Sequence, residues 1–120
     1  MHLDYLIFDC TDEEDGSCSF DAMASVAADR LPALLREVEA VLAWAHRGFG
    51  APAGEQVERE WDFELQASGG HDVELAVAYD ARRAQVTIDA ASTVRVTLAF
   101  TVSGSATFAH AFREAFPAAN

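Results

Sequence analysis

Leu31 to Gly48 reads LPALLREVEAVLAWAHRG, and its apolar residues recur at helical spacing. At about 100° per residue, Leu31, Leu34, Leu35, Val38, Val41, Leu42 and Ala45 fall into one continuous stripe, which Phe49 extends past the end. Arg36, Glu39, His46 and Arg47 lie outside it. Pro32 suits the first turn, where a missing N–H costs nothing, with Asp29 as the plausible cap, and Gly48 stops the helix. A stripe of this width needs an apolar sheet face to bury against. Trp44 falls off the stripe with Ala33, Ala40 and Ala43. It either tucks beneath the Phe49 to Gly54 loop or a preceding short helix, or marks the helix back as a second interaction surface.

The sheet is expected on the C-terminal side. VEREWDFELQA, Val57 to Ala67, alternates Val57, Trp61, Phe63 and Leu65 with Glu58, Glu60, Asp62, Glu64 and Gln66, the pattern of a half-buried antiparallel strand. Burying each of Trp61, Phe63 and Leu65 contributes about 1.5–3 kcal/mol, which fixes the register. After the Ser68-Gly69-Gly70 turn, VELAVAY and QVTIDA form a hairpin around Asp80 to Ala84, with Val73, Leu75, Val77, Tyr79, Val86 and Ile88 inward. In a last strand from Thr93 to Val102, Val94, Val96, Leu98, Phe100 and Val102 point inward, and Arg95, Thr97, Ala99 and Thr101 outward. Ser105 then caps a helix over Ala106 to Phe116, with Phe108, Phe112 and Phe116 along one side and Pro117 at its end.

On the N-terminal side, LDYLIFDC, Leu3 to Cys10, reads as a strand with Leu6, Phe8 and Cys10 inward and Tyr5 and Ile7 as an outward apolar pair. Thr11 to Ser19, TDEEDGSCS, is an acidic loop. It fails a calcium-binding hand template at both ends, with Thr11 first and Ala22 twelfth. FDAMASVAADR, capped by Ser19 or Asp21, is expected as a short helix bent at about Asp29 to Leu31 before the main one. The order β-α-α-β-β-β-β-α describes a single α+β domain over residues 1–120. It is a two-layer sandwich in which about five mostly antiparallel strands carry two long helices on one face.

Composition narrows the function. Twenty acidic residues against eight basic ones give a net charge of −12, and every base is Arg. That balance excludes nucleic acid and anionic membrane as partners and favours basic proteins, cations or neutral molecules. The absence of Lys beside abundant Ala suggests a GC-rich bacterial source. No apolar run reaches the ~18 residues of a bilayer span, and the N-terminus carries acids where a secretory leader needs bases, so a cytoplasmic location is expected. Cys10 and Cys18 are too few and too oddly placed for a secreted disulfide framework and are expected as reduced thiols.

No catalytic constellation is complete. The chain lacks a phosphate-binding glycine loop, a nucleophile elbow and paired metal-binding histidines, so neither cofactor nor metal is expected. Ser103-Gly104-Ser105 is explained by a helix cap. His46, His71 and His110 read as solvated, and the acids around Cys18 raise its thiol pKa, away from a nucleophile's. What remains is a non-catalytic interaction or regulatory module docking a partner protein, or a second copy, through the outer sheet face. Its candidate residues are Tyr5, Ile7, Glu58, Glu60, Asp62, Glu64, Ala78 and Ala99, with Trp44 on the helix back. The alternatives are a small-molecule or cation binder with its pocket between sheet and helices, and a carboxylate hydrolase using Glu60 or Asp62, which would need one of them in a closed cavity.

Overall fold

The computed structural model describes residues 3–52, 60–70, 73–89 and 94–117. It is a two-layer α+β sandwich, an antiparallel sheet of five strands carrying both helices on one face. In chain order the elements are β1 (Asp9–Asp12), β2 (Cys18–Ala27), a 3-10 turn (Ala28–Arg30), α1 (Leu31–Phe49), β3 (Trp61–Ser68), β4 (Glu74–Leu75), β5 (Val77–Asp80), β6 (Gln85–Ile88), β7 (Arg95–Gly104) and α2 (Ala106–Ala115). The sheet order is β1-β2-β7-β3-β4, so the last strand in sequence lies in the middle.

The long helix forms as its stripe predicts. Leu31, Leu34, Val38, Val41, Leu42 and Ala45 are buried, and Pro32 sits in the first turn. Its N-cap is Arg30 rather than Asp29 and offers no side-chain hydrogen bond, because the 3-10 turn leads straight into the helix. Trp44 is half-buried among Phe49, Phe108, Phe112 and Phe116. The off-stripe side of α1 is thus the seat of α2. The Trp61 indole donates to the Gly50 carbonyl (2.9 Å), which ties the end of α1 to β3. A Cβ on Gly104 would come within 2.7 Å of the Phe108 side chain, so glycine is what lets β7 turn directly into α2.

The expected short helix over Phe20 to Arg30 is strand instead. All ten residues of β2 pair with β7, from Cys18↔Gly104 to Ala27↔Arg95. Cys18, Phe20, Ala22, Ala24 and Val26 are buried, while Asp21, Met23 and Ser25 are exposed. Alanine and methionine favour a helix only weakly, and ten ladder positions against the central strand outweigh that preference.

The N-terminal strand also shifts. Leu3 to Phe8 is irregular and only Asp9–Asp12 pairs with β2. Leu6 and Phe8 are buried as expected. The Glu37 carboxylate on α1 accepts the backbone N–H groups of Asp4 (2.8 Å), Tyr5 (3.0 Å) and Leu6 (3.0 Å), so this segment is held by the helix rather than by a ladder. Tyr5 is consequently half-buried, not outward, whereas Ile7 is 70% exposed.

A further difference concerns the hairpin. β5 and β6 form a separate two-stranded sheet, with Val77↔Ile88 and Tyr79↔Val86 paired. It lies against α1, where Glu39 accepts the Val86 N–H (2.7 Å), and against β3, where Tyr79 meets Phe63. Val73 and Val94, both expected inward, are 59% and 86% exposed because each lies just outside a paired segment.

Cys10 and Cys18 are joined in a disulfide, contrary to the reduced thiols expected from spacing alone. The β1–β2 hairpin brings them together: Cys10 opposes Phe20 and Cys18 opposes Asp12, so both side chains leave on the helix side of adjacent strands. The acidic loop shrinks to a turn at Glu13 to Ser17, with Gly16 at φ 89°. Asp15 accepts the Ser17 N–H (3.0 Å) and hydroxyl (2.6 Å), and these bonds hold its carboxyl below the usual carboxylate value.

Candidate functional site

The inner face of the sheet is closed by aromatic packing. Phe8, Phe20, Phe100, Phe108 and Phe112 are fully buried and in ring contact. Among the described residues the outer face carries no helix, and its residues follow from the register. Asp9, Asp21, Thr101 and Glu64 form one row across four strands, and Thr11, Ser19, Ser103 and Asp62 form the next. On the other side lie Met23, Ala99 and Gln66, then Ser25, Thr97, Ser68 and Glu74.

Carboxylates therefore occupy this face at Asp9, Asp21, Asp62, Glu64 and Glu74. Asp9 stands directly opposite Asp21. At the ~5.5 Å separation of such a pair, two charges repel by about 0.8 kcal/mol in water, a cost that lysine or arginine from a partner would reverse. Thr101 donates to Asp21 (2.7 Å), and Asp62 accepts the N–H of Phe63 (2.9 Å). Arg95 donates to the Ser25 hydroxyl (3.0 Å) and carbonyl (3.2 Å), at the far end of β7. The guanidinium is thus held at Ser25, four residues along β2 from Asp21, roughly 13 Å at the strand rise and beyond the ~8 Å over which salt leaves charges visible to one another. Arg95 does not neutralise the acidic row.

Beside that row is a shallow depression of about 430 Å³, lined by Met23, Gln66, Ala67, Ser68, Glu74, Thr97 and Ala99. Met23 is 72% exposed in this otherwise polar setting. Met23 and Ala99 give apolar contact within this mixed lining and Glu74 gives a carboxylate, which together suit a long aliphatic stem ending in a cation.

The sequence candidates separate. Asp62, Glu64 and Ala99 share the outer face. Glu60 lies just before β3 and accepts a hydrogen bond from the Ser105 hydroxyl, whose oxygen in turn caps α2 by accepting the Phe108 N–H (3.2 Å). That capping site before α2 is thus met by a carboxylate of the chain itself. Ala78 belongs to the two-stranded hairpin, Tyr5 and Ile7 to the segment before β1, and Trp44 to the helix layer. Glu58 and His71 lie outside the described residues. Asp21 and Met23 are hidden by the helical reading of their segment, since of the inward residues Phe20, Ala22, Ala24 and Val26 only the first and last are large enough to mark a face.

His46 also departs from its solvated reading. Its ring packs against Trp61 and Tyr79, and its Nε2 is buried without a hydrogen-bond partner among the described residues. Burial lowers its pKa, and burial, then Glu39 and Asp80, raise that of Tyr79. His110 is exposed, 3.3 Å from Glu114. No helix among the described residues is long and apolar enough to cross a membrane. Comparison with protein-family models, curated proteins and solved structures finds no match.

Proposed function

We propose that this protein is a non-catalytic interaction module whose outer sheet face docks a lysine- or arginine-rich protein surface. The observation that carries the reading is the row Asp9, Asp21 and Glu64, with Asp62 in the adjacent row, on a face whose Arg95 stands too far away to compensate. Charge complementarity of this kind sets partner choice and association rate. It also disfavours a second copy, since two such faces brought together would repel. The depression beside the row supplies a seat for one basic side chain, its stem over Met23 and Ala99 and its charge toward Glu74.

Carboxylate catalysis has less to support it. A general acid needs desolvation, and Glu60 is exposed while Asp62 is half-buried. Among the described residues, packed rings of Phe8, Phe20, Phe100, Phe108 and Phe112 fill the space between sheet and helices that a small-molecule pocket would need. The disulfide counts against the expected cytoplasmic location: it fits an oxidising compartment, or a cytoplasm in which the bond is opened and closed.

Titration of the isotope-labelled protein with a lysine-rich peptide, followed by amide chemical shifts, tests the docking face. Shifts are expected at Asp21, Met23, Ala99, Thr101 and Glu64, weakening with salt and lost in Asp21→Asn/Glu64→Gln. Shifts centred on Glu13 to Asp15, or unchanged in the double variant, would refute it.

A further inference from the structure

We propose that the Cys10–Cys18 disulfide is a reversible redox site, opened by a dithiol reductant and poised by the guanidinium of Arg113. Arg113 lies in the last turn of α2, with one guanidinium nitrogen 3.0 Å from Cys10 Sγ and 3.7 Å from Cys18 Sγ. The same nitrogen donates to Asp12 (2.8 Å), and the guanidinium carbon lies 5.7 Å from the centre of the Phe20 ring. A cation held against both sulfurs does little for a neutral disulfide. It strongly favours the thiolates that form when the bond opens.

Access sets the direction of attack. Cys10 is half-buried whereas Cys18 is 2% exposed, so an incoming thiolate reaches Cys10 Sγ. Its electron pair forms the mixed disulfide, the Cys10–Cys18 bond breaks, and Cys18 leaves as a thiolate beside Arg113. The second thiol of the reductant loses its proton and attacks the reductant's own sulfur. Cys10 is thereby released as a thiolate and the reductant as a cyclic disulfide. Two electrons pass from the dithiol to the cysteine pair, and its two protons go to the cysteines or to solvent. Asp12 opposes the arginine by sharing its charge. Opening removes the covalent tie on β1, a four-residue strand that pairs with β2 at one side of the sheet.

The test is a dithiothreitol titration of the folded protein, read by mass after alkylation. Wild type is expected to open without denaturant. Arg113→Gln should need about tenfold more reductant, or about 30 mV for this two-electron couple, Arg113→Lys should recover most of the loss, and Asp12→Asn should need less than wild type. The sign is diagnostic, because a substitution that merely loosened the fold would make reduction easier in every variant. If Arg113→Gln fails to fold, Asp12→Asn decides, since Asp12 is exposed: easier reduction with an unchanged denaturant midpoint of the oxidised protein supports the proposal, and easier reduction with a lowered midpoint counts against it. A disulfide that resists reduction until the chain unfolds, or an Asp12→Asn midpoint at or above that of wild type, would make it a structural cross-link and overturn the proposal.

Discussion

The two faces of the five-stranded sheet are made by the same strands, and alternate residues assign them opposite tasks. On β7, Val96, Leu98, Phe100 and Val102 are fully buried beneath the helices, while Thr97, Ala99, Thr101 and Ser103 between them line the outer face. Carboxylates divide in the same way. Glu37 and Glu39 on α1 turn to backbone N–H groups and fasten the N-terminal segment and the hairpin. Asp9, Asp21, Asp62, Glu64 and Glu74 are gathered on the outer face instead. One face is where the chain holds itself together. The other is where we propose that it meets a partner.

The largest expected effect separates neighbouring residues of β7. Phe100→Ala opens a cavity beside Phe8 and should cost about 3–5 kcal/mol in denaturant unfolding. Ala99→Arg, one residue away and outward, should stay within about 0.5 kcal/mol of wild type. Equal losses at both positions would break the distinction between the faces.

Next in size is the carboxylate that works inward. Glu37→Gln replaces a charged acceptor of three backbone N–H groups with a neutral one and should cost about 1–2 kcal/mol. Amide exchange should speed up at Asp4 to Leu6. Glu64→Gln on the outer face should leave stability unchanged.

The smallest effect is on pH dependence. Burial holds the folded pKa of His46 below its usual 6.5, so between those values the unfolded chain binds the extra proton. Its contribution to stability is therefore complete above about pH 6.5 and is lost as the pH falls below it. His46→Phe, which also removes the orphaned Nε2, should flatten the stability profile on that acid side in thermal unfolding.

Much of the fold was legible because three segments bury regular stripes: Leu31 to Ala45 at helical spacing, and Trp61 to Leu65 and Val96 to Val102 at strand spacing. The element that escaped was β2, whose inward Ala22 and Ala24 are too small to mark a face and whose composition suits a helix. Its loss hid half of the candidate surface, since Asp21 and Met23 come with it. The separation of the β5–β6 hairpin depends on its packing against α1 and β3, which no local pattern encodes, and it removes Ala78 from the surface on which Ala99 lies. The disulfide was out of reach for a similar reason. Which residues oppose Cys10 is fixed by the hairpin register, and Arg113 arrives from the other end of the chain.

The absence of lysine from the sequence makes one measurement especially direct. Carbodiimide couples carboxylates to lysine amines, so apart from its terminal amine this chain cannot cross-link to itself and every lysine adduct reports another protein. Coupling with a lysine-rich partner followed by peptide mapping is expected to place adducts on Asp9, Asp21, Glu64 and Glu74, suppressed at high salt. Adducts confined to Glu13, Glu14 and Asp15 or to the helix layer would contradict the assignment of the outer face as the docking surface.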